Sequence, residues 1–128
     1  TYMAPEIKEG KTYDGTQVDL FSVGVIIFII VQGIFPFKEA RKEEYFYNLL
    51  LTGQIATYFE KVNGTGLSAD FKDMILKLFS YNGKDRYTVD QLKAHPWLNK
   101  PGFNMEATQA ALAAELHSRK EAVKPAPF

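Results

Sequence analysis

The longest apolar stretch of the chain covers residues 18–37, and no other segment is as long or as uniformly apolar. Between residues 20 and 31 only Ser22 and Gly24 interrupt the apolar side chains, so a helix formed there has no polar face. A helix that is apolar on all sides belongs inside a protein core or in a membrane. The run exceeds the usual length of a strand, and we therefore predict a buried central helix over about residues 17–32.

Both ends of this predicted helix carry capping residues. Thr16 is predicted as the N-cap, with Asp19 in the third position of a capping box. Gly33 is predicted as a left-handed C-terminal residue, and Pro36 cannot continue a helix. Because Asp19 and Gly33 bracket it, the run is short for a membrane span, which needs roughly 20 predominantly apolar residues. We expect a buried helix and no membrane span.

Composition and charge restrict the classes of function. The chain has 128 residues, 46% of them hydrophobic, which is enough for one domain with a core. Its 15 basic and 15 acidic residues give a net charge of zero, so the charge balance predicts no binding to nucleic acid or to an anionic membrane. The absence of cysteine excludes disulfides, thiol catalysis and cysteine metal sites. Because the sequence shows no secretory signal or transit peptide, we expect a cytoplasmic protein.

The segments after the apolar run alternate between predicted helices and loops. Residues 42–52 are predicted to form a helix whose first turn is a solvated charge cluster. Residues 54–67 contain Gly64 and Gly66 without a sustained period, which predicts mostly loop. Ser68 is the predicted N-cap of a helix packed on the core. The apolar residues of that helix recur on one face: Phe71, Met74, Ile75, Leu78 and Phe79.

The C-terminal third contains two more predicted helices. Thr88 opens a second capping box and a short helix, which Pro96 closes. From Pro101 onward the composition changes, and residues 105–121 are alanine-rich and helix-prone. The last residues, 124–128, are not expected to be ordered on their own.

Residues that could carry out chemistry are few. His95 and His117 are too isolated to predict a metal site, and His95 is better explained as a structural residue at a helix end. The sequence contains no glycine-rich phosphate loop and no Gly-x-Ser-x-Gly motif. The residues alone predict a mainly α, helical lobe, with no catalytic residue and no metal ligand assigned.

Five short motifs follow one another along the chain. They are Tyr2-Met3-Ala4-Pro5-Glu6, Asp19-Leu20-Phe21-Ser22-Val23-Gly24-Val25, Gly33-Ile34-Phe35-Pro36-Phe37, Arg86-Tyr87-Thr88 and His95-Pro96-Trp97. In this order and spacing they resemble the C-terminal lobe of a eukaryotic protein kinase, with the Ala-Pro-Glu element of that family at the start. The resemblance implies a helical lobe at residues 1–100, built around the buried helix, and a helix-prone C-terminal extension at residues 101–128.

The resemblance implies structural roles for individual residues. In the family the glutamate of Ala-Pro-Glu, here Glu6, forms a buried ion pair with the arginine that matches Arg86. Asp19 resembles the aspartate that hydrogen-bonds the backbone of the catalytic loop, and the alternative is a plain capping carboxylate. Ile26 and Ile30 match the positions that support the catalytic spine of the family.

Two places depart from the family pattern. Phe21 stands where tryptophan is usual, and a smaller aromatic ring is expected to cause a local adjustment of packing. Asn82 and Gly83 replace the commoner Asp-Pro before the arginine, which exchanges one turn for another.

The resemblance also narrows the substrate class. Tyr2 and Met3 precede Ala-Pro-Glu as in serine/threonine kinases, and Met3 is expected to line the pocket for the residue after the phosphorylated one, where it would favour an apolar side chain. Ile29 stands where some basophilic members carry an acid, so one subsite for a substrate arginine is absent. Residues 95–97 and the helical tail are most similar to the calcium/calmodulin-dependent kinase group.

The implied activity is transfer of the ATP γ-phosphate to a protein serine or threonine by the full-length protein, with ATP and Mg²⁺ as cofactors. The catalytic and metal-binding loops of the family precede Ala-Pro-Glu. We therefore expect this chain to be a fragment that alone is inactive and binds no cofactor. The implied partners are a protein substrate, the N-terminal lobe of the same protein, and a regulatory protein on residues 42–52 or on the tail.

Three alternatives stay open. The chain could be a pseudokinase or a stand-alone lobe that binds proteins through residues 42–52, or a truncated product with no role of its own. The tail could be an autoinhibitory or calmodulin-binding helix. An ordinary packed helix or a partly disordered extension is favoured there, because alanines fill much of the apolar face and the basic residues come late.

Overall fold

The computed structural model describes residues 2–99 and 105–122, and within these ranges it contains helices and no strand. The prediction of a mainly α fold is confirmed. The chain divides into two compact units, residues 1–98 and residues 99–128. The helices are α1 (Pro5–Lys8), α2 (Gly15–Gln32), α3 (Tyr45–Leu51), α4 (Ile55–Lys61), α5 (Ala69–Leu78), a first 3₁₀ helix (Gly83–Asp85), α6 (Val89–Lys93), a second 3₁₀ helix (Pro96–Asn99) and α7 (Met105–Ala122).

The long helix α2 is capped at both ends. Asp14 is the N-cap, and its carboxylate accepts a hydrogen bond from the Gln17 backbone N–H at 3.1 Å. The prediction of Thr16 as the N-cap is wrong, because α2 begins two residues earlier than expected and Thr16 already lies in its first turn. The prediction for Gly33 is confirmed, since this residue has a φ of 76° and its N–H donates to the Ile29 carbonyl at 2.8 Å.

Replacing Asp14 with alanine is expected to lower the free energy of unfolding by about 1 kcal/mol, because the orphan N–H of Gln17 loses its acceptor. Thr16→Ala is the matched control, and a change within about 0.5 kcal/mol is expected there, because its side chain is exposed and does not cap the helix. Urea unfolding of both variants measures the difference. An equal loss in the two variants would contradict the observed N-cap.

One face of α2 packs in the core and the other is open. The buried residues are Val18, Leu20, Phe21, Gly24, Val25 and Phe28. The approach to α5 is close, because a Cβ added to Gly24 would lie 2.8 Å from the Leu78 Cβ. On the opposite face Ile26 is 47% exposed and Ile30 is 76% exposed. The prediction of a helix buried on all sides is therefore wrong for one face in this chain.

The length argument against a membrane span is also corrected. With 18 residues and a mean hydropathy of 1.7, α2 is long and apolar enough to cross a bilayer by length and composition, and one third of it (33%) is buried. The core helix of a soluble protein passes the same test, so one such helix is weak support for a span. The absence of a membrane span stays a prediction.

Two predictions between α2 and α5 need correction. Residues 54–67 were expected to be mostly loop, but α4 occupies Ile55–Lys61. Tyr58, Phe59 and Val62 are all buried, and this apolar spacing outweighs the two nearby glycines. The helix expected over residues 42–52 is shorter, because Glu44 ends the charge cluster and caps α3 by accepting from the Tyr47 N–H at 2.8 Å.

The predictions for α5 and α6 are confirmed. Ser68 caps α5 through the Phe71 N–H, and the apolar face of this helix is buried as expected. Thr88 and Gln91 form a reciprocal capping box at α6. The fold of the first unit is therefore fixed by local capping together with an aromatic core around α2 and α5.

The second unit contains α7, which confirms the helix expected over residues 105–121. Leu112 and Leu116 are exposed, and Arg119 pairs with Glu115 at 2.8 Å one turn away. The predicted break at residues 101–102 and the predicted disorder of residues 124–128 lie outside the described residues.

Candidate functional site

The structure brings Glu6 and Arg86 together across 80 positions of sequence. Glu6 lies in α1, and Arg86 directly follows the first 3₁₀ helix. The guanidinium donates from Nη1 to Oε1 at 2.6 Å and from Nη2 to Oε2 at 2.8 Å, which is a bidentate ion pair. The Arg86 side chain is 0% exposed, and the Glu6 side chain is 14% exposed. The pair therefore connects the first segment of the chain to the turn between α5 and α6.

The remaining N–H groups of Arg86 are also used. They donate to the carbonyl oxygens of Gln17 at 2.9 Å, Ser80 at 3.0 Å and Tyr81 at 3.3 Å. A guanidinium has five N–H donors, and all of them are satisfied here. Its central carbon also lies 5.0 Å from the centre of the Phe21 ring. Arg86 thus joins α1, the first turn of α2 and the end of the α5 segment at one buried point.

The charge state of the pair follows from these contacts. Burial by itself raises the pKa of Glu6, but hydrogen bonds from Arg86 and from the backbone, with the charges of Arg86 and Lys11, outweigh it and hold the pKa below its ordinary value of 4.5. The carboxylate is consequently ionised at neutral pH, which matches the fixed positive charge of the guanidinium.

The segment before α1 is attached to α2. The Ser22 hydroxyl donates to the Tyr2 carbonyl at 2.7 Å. The Tyr2 ring packs edge-on against Phe35, with the ring centres 6.2 Å apart. The side chains of Tyr2 and Met3 are about half exposed, at 47% and 46%. These two residues therefore present an apolar surface to solvent on a backbone that α2 holds in place.

The other residues singled out by the resemblance lie along one face of α2. Asp19, Ser22, Ile26 and Ile30 follow the three- and four-residue spacing of a helix, which places them on the same side. Asp19 is exposed in the first turns of α2 and does not cap it, since Asp14 does. The Ser22 hydroxyl connects this face of α2 to the Tyr2 backbone. The Glu6–Arg86 pair contacts α2 at a different point, where Arg86 donates to the Gln17 carbonyl.

His95 has a structural setting. Its ring is buried, its Nδ1 accepts a hydrogen bond from the Trp97 N–H at 3.1 Å, and its Nε2 lies 3.0 Å from the Asp73 carboxylate. The hydrogen bond from His95 and a further one from Tyr87 lower the pKa of Asp73, although its slight burial opposes them. Within residues 2–99 and 105–122 there is no cluster of histidine, cysteine or acidic residues that could hold a metal ion.

Sequence reasoning missed the acceptors that surround Arg86. The carbonyl groups of Gln17, Ser80 and Tyr81 leave no signal in the sequence, because any residue can supply a backbone oxygen at those positions. Tyr47 was also missed: its buried hydroxyl donates to the Phe79 carbonyl at 2.8 Å, and burial raises its pKa. In the sequence, the only indication of this buried hydroxyl is that a tyrosine stands within an apolar helix.

Comparisons with known proteins agree with the family resemblance. The family described as "Protein kinase domain" matches residues 1–98. Serine/threonine-protein kinase DCLK3 of Mus musculus is 33% identical over 106 residues, covering 80% of this chain and 13% of the relative. The Aurora kinase of Saccharomyces cerevisiae is 36% identical over 102 residues, covering 78% and 26%. Calcium/calmodulin-dependent protein kinase type IV of Mus musculus is 32% identical over 123 residues, covering 94% and 25%.

A solved structure supports the same fold. The crystal structure of the Rad53 kinase domain and SCD2 matches with a TM-score of 0.55 at 24% identity, covering 77% of this chain and 36% of that one. The chain thus spans between 13% and 26% of the three relatives named above. With the family match over residues 1–98 and the order of its motifs, the chain belongs to the protein kinase family.

Proposed function

We propose that the chain is the C-terminal, substrate-docking lobe of an ATP-dependent serine/threonine protein kinase. The observation that carries the proposal is the open face of α2, where Ile26 and Ile30 are exposed and the Ser22 hydroxyl holds the Tyr2 backbone. A row of large exposed apolar side chains marks a surface that another segment covers. In the proposal this segment is the part of the kinase domain that precedes Thr1 in a longer protein.

Asp19, the two isoleucines and the Glu6–Arg86 pair have different roles in the proposed enzyme. Asp19 accepts hydrogen bonds from the backbone of the catalytic loop, and its exposed position leaves it accessible to that loop. Ile26 and Ile30 pack against the catalytic spine of the longer protein and support it. The Glu6–Arg86 pair keeps the first segment of this chain in register with the lobe, so that the substrate surface has a fixed position.

Substrate selection is proposed for Tyr2 and Met3. Their half-exposed apolar side chains favour an apolar residue directly after the phosphorylated serine or threonine. The similarity to calcium/calmodulin-dependent protein kinase type IV and to DCLK3 supports placement near the calcium/calmodulin-dependent group. The similarity to an Aurora kinase is of the same order, so the proposed placement rests on residues 95–97 and the helical tail as well as on these relatives.

The residues described here do not fit the cofactors of the reaction. Phosphoryl transfer requires a lysine on the phosphates, side chains that hold Mg²⁺ and an aspartate near the substrate hydroxyl. In the described part of the chain no acidic cluster is suited to a metal ion. The proposed lobe contributes docking, orientation and rigid support.

The proposal is tested by a charge placed on the open face. In the 128-residue chain, Ile30→Asp is expected to change the free energy of unfolding by no more than about 0.5 kcal/mol, because the side chain is exposed. In the longer protein the same change is expected to abolish phosphorylation of a protein substrate, since it buries an unpaired charge. Leu112→Asp on α7 is the control, because this leucine is exposed too. Full activity of the longer Ile30→Asp protein would contradict the proposal.

A direct binding measurement complements this test. Adding Mg-ATP to the 128-residue chain is expected to leave its melting temperature unchanged, while the longer protein is expected to be stabilised by ligand binding. A Mg-ATP-dependent increase in the melting temperature of the short chain would show that the nucleotide site lies within it.

A second candidate is a protein-binding module without catalysis. It is favoured by an apolar pocket of about 200 Å³ beside α3, lined by Phe35, Phe37, Lys38 and Phe46. Phe35 is 56% exposed at this pocket, and aromatic side chains at pockets are typical anchors of protein interfaces. This candidate predicts that the longer protein binds a partner through this pocket, with loss of binding in Phe46→Ala, and shows no phosphorylation activity.

A further inference from the structure

The sequence contains two Asn-Gly pairs, Asn63-Gly64 and Asn82-Gly83. This dipeptide is chemically labile in proteins, because glycine leaves its own backbone nitrogen accessible to the preceding asparagine side chain. Both asparagines are exposed to solvent. Their surroundings differ in the feature that controls the reaction, which is the freedom of the glycine nitrogen and of the asparagine backbone.

Hydrogen bonds restrain the backbone of the first pair, Asn63-Gly64. The Gly64 N–H donates to the Phe59 carbonyl at 2.7 Å, and Gly64 is buried. The Asn63 N–H donates to the Glu60 carbonyl at 3.2 Å, and the Asn63 carbonyl accepts from the Gln32 amide at 2.9 Å. The nitrogen that would attack is therefore engaged, and the backbone around it cannot rotate without breaking several hydrogen bonds.

The second pair, Asn82-Gly83, has fewer backbone hydrogen bonds, although the Gln17 side chain packs closely against Gly83. Gly83 is the first residue of a 3₁₀ helix, a position whose N–H has no partner within the helix, and no hydrogen bond from it occurs in the described parts of the chain. The only hydrogen bond of the Asn82 backbone in these parts is the one its carbonyl accepts from the Asp85 N–H at 3.1 Å. Asn82 also lines an open groove of about 390 Å³, which gives water access to its amide.

We propose that Asn82 is a site of spontaneous deamidation, whereas Asn63 is protected by the fold. The Gly83 nitrogen attacks the side-chain carbonyl carbon of Asn82, so a new C–N bond forms, the bond to the amide nitrogen breaks, and ammonia leaves with the proton of the Gly83 N–H. Water then opens the succinimide ring at either carbonyl. The products are aspartate or isoaspartate at position 82, with no co-reactant other than water.

The modification would act on the site described above. Asn82 directly follows Ser80 and Tyr81, whose carbonyls accept from Arg86, and the Arg86 N–H donates to the Gly83 carbonyl at 3.2 Å. Isoaspartate adds a methylene group to the main chain inside this turn. The five acceptors of Arg86 could then no longer be reached together, and the pair with Glu6 would be weakened. Aspartate leaves the main chain unchanged and only adds a charge.

The test is incubation of the purified 128-residue chain at mildly alkaline pH, followed by peptide mapping with mass spectrometry. Both Asn-Gly pairs are quantified in the same sample, and each conversion replaces an amide by an acid. Conversion at Asn82 is expected to be at least about tenfold faster than at Asn63, which is the effect of one hydrogen bond that must open first. In denaturant the two rates are expected to become equal.

Variants separate the consequences. Asn82→Gln keeps an amide but cannot form the five-membered ring readily, and it is expected to remain unmodified during the incubation. Asn82→Asp reproduces the charge without the altered main chain and is expected to melt close to the unmodified chain, whereas aged protein rich in isoaspartate melts lower. Equal rates at the two sites in the folded chain, or faster conversion at Asn63, would overturn the proposal. So would an unmodified Asn82 in folded protein when both sites react in denaturant.

Discussion

Replacing Arg86 with methionine is expected to lower the free energy of unfolding by roughly 3–5 kcal/mol, the cost of breaking a buried ion pair by removing one partner. The substitution leaves the Glu6 carboxylate, which is only 14% exposed, without its counter-charge. It also leaves the carbonyl groups of Gln17, Ser80 and Tyr81 without their donor. Urea unfolding of the 128-residue chain measures the loss.

Arg119→Met is the matched control for this prediction. Arg119 forms a pair with Glu115 at 2.8 Å, but the two side chains are largely exposed on α7. Such exposed pairs contribute little, and a loss of no more than about 0.5 kcal/mol is expected. Comparable losses in the two variants would show that burial of the Glu6–Arg86 pair does not matter for stability.

The same pair gives a dependence on pH with a defined sign. Because the pKa of Glu6 is lowered in the folded state, the folded chain binds fewer protons than the unfolded chain as the pH falls. The stabilisation is present above the ordinary pKa of 4.5 and is lost as the pH decreases through the folded-state pKa. In the Arg86→Met variant, this pH-dependent contribution of Glu6 to the free energy of unfolding is expected to disappear.

Replacing Phe21 with alanine is the second change with a large expected effect, a loss of about 3–5 kcal/mol. Phe21 is fully buried, and its ring lies 5.9 Å from that of Phe37 and 5.8 Å from that of Phe79. It also supplies the aromatic face below Arg86 at 5.0 Å. The substitution would therefore open a cavity at the centre of the core and remove a contact of the ion pair.

Phe35→Ala deletes the same atoms at an exposed position and serves as the control. Phe35 is 56% exposed and packs against Tyr2. The free energy of unfolding of the Phe35→Ala variant is expected to differ from that of the unmodified chain by no more than about 0.5 kcal/mol. Thermal and urea unfolding of both variants provide the comparison. A loss below about 1 kcal/mol for Phe21→Ala would mean that the core rearranges to fill the space, against the usual behaviour of cavities.

Local sequence signals predicted much of the fold because they act through neighbouring residues. Ser68 was identified as an N-cap from a hydroxyl followed by a helical apolar period, and Thr88 from a capping box, and both hydrogen bonds form. The same reasoning failed for Thr16, because Asp14 offers a competing acceptor two residues earlier. A capping residue is identified only relative to where the helix begins, and that position depends on the preceding turn.

Burial depends on contacts that the sequence does not list. The apolar run predicted α2, but its exposed isoleucines show that an apolar side chain need not be buried within the chain that carries it. For the site, the spacing of Glu6 and Arg86 gave no indication of contact without the family resemblance. The backbone acceptors of Arg86 could not be predicted at all, since they depend on the path of the main chain.

The measurement that tests the proposed function most directly is the coding sequence upstream of Thr1. The proposal predicts, in the same frame, a glycine-rich loop, a strand lysine, His-Arg-Asp with its later asparagine, and Asp-Phe-Gly, the residues that phosphoryl transfer requires. Loss of these residues, or an initiator methionine directly before Thr1, would contradict a catalytic role and leave protein binding as the function of this lobe.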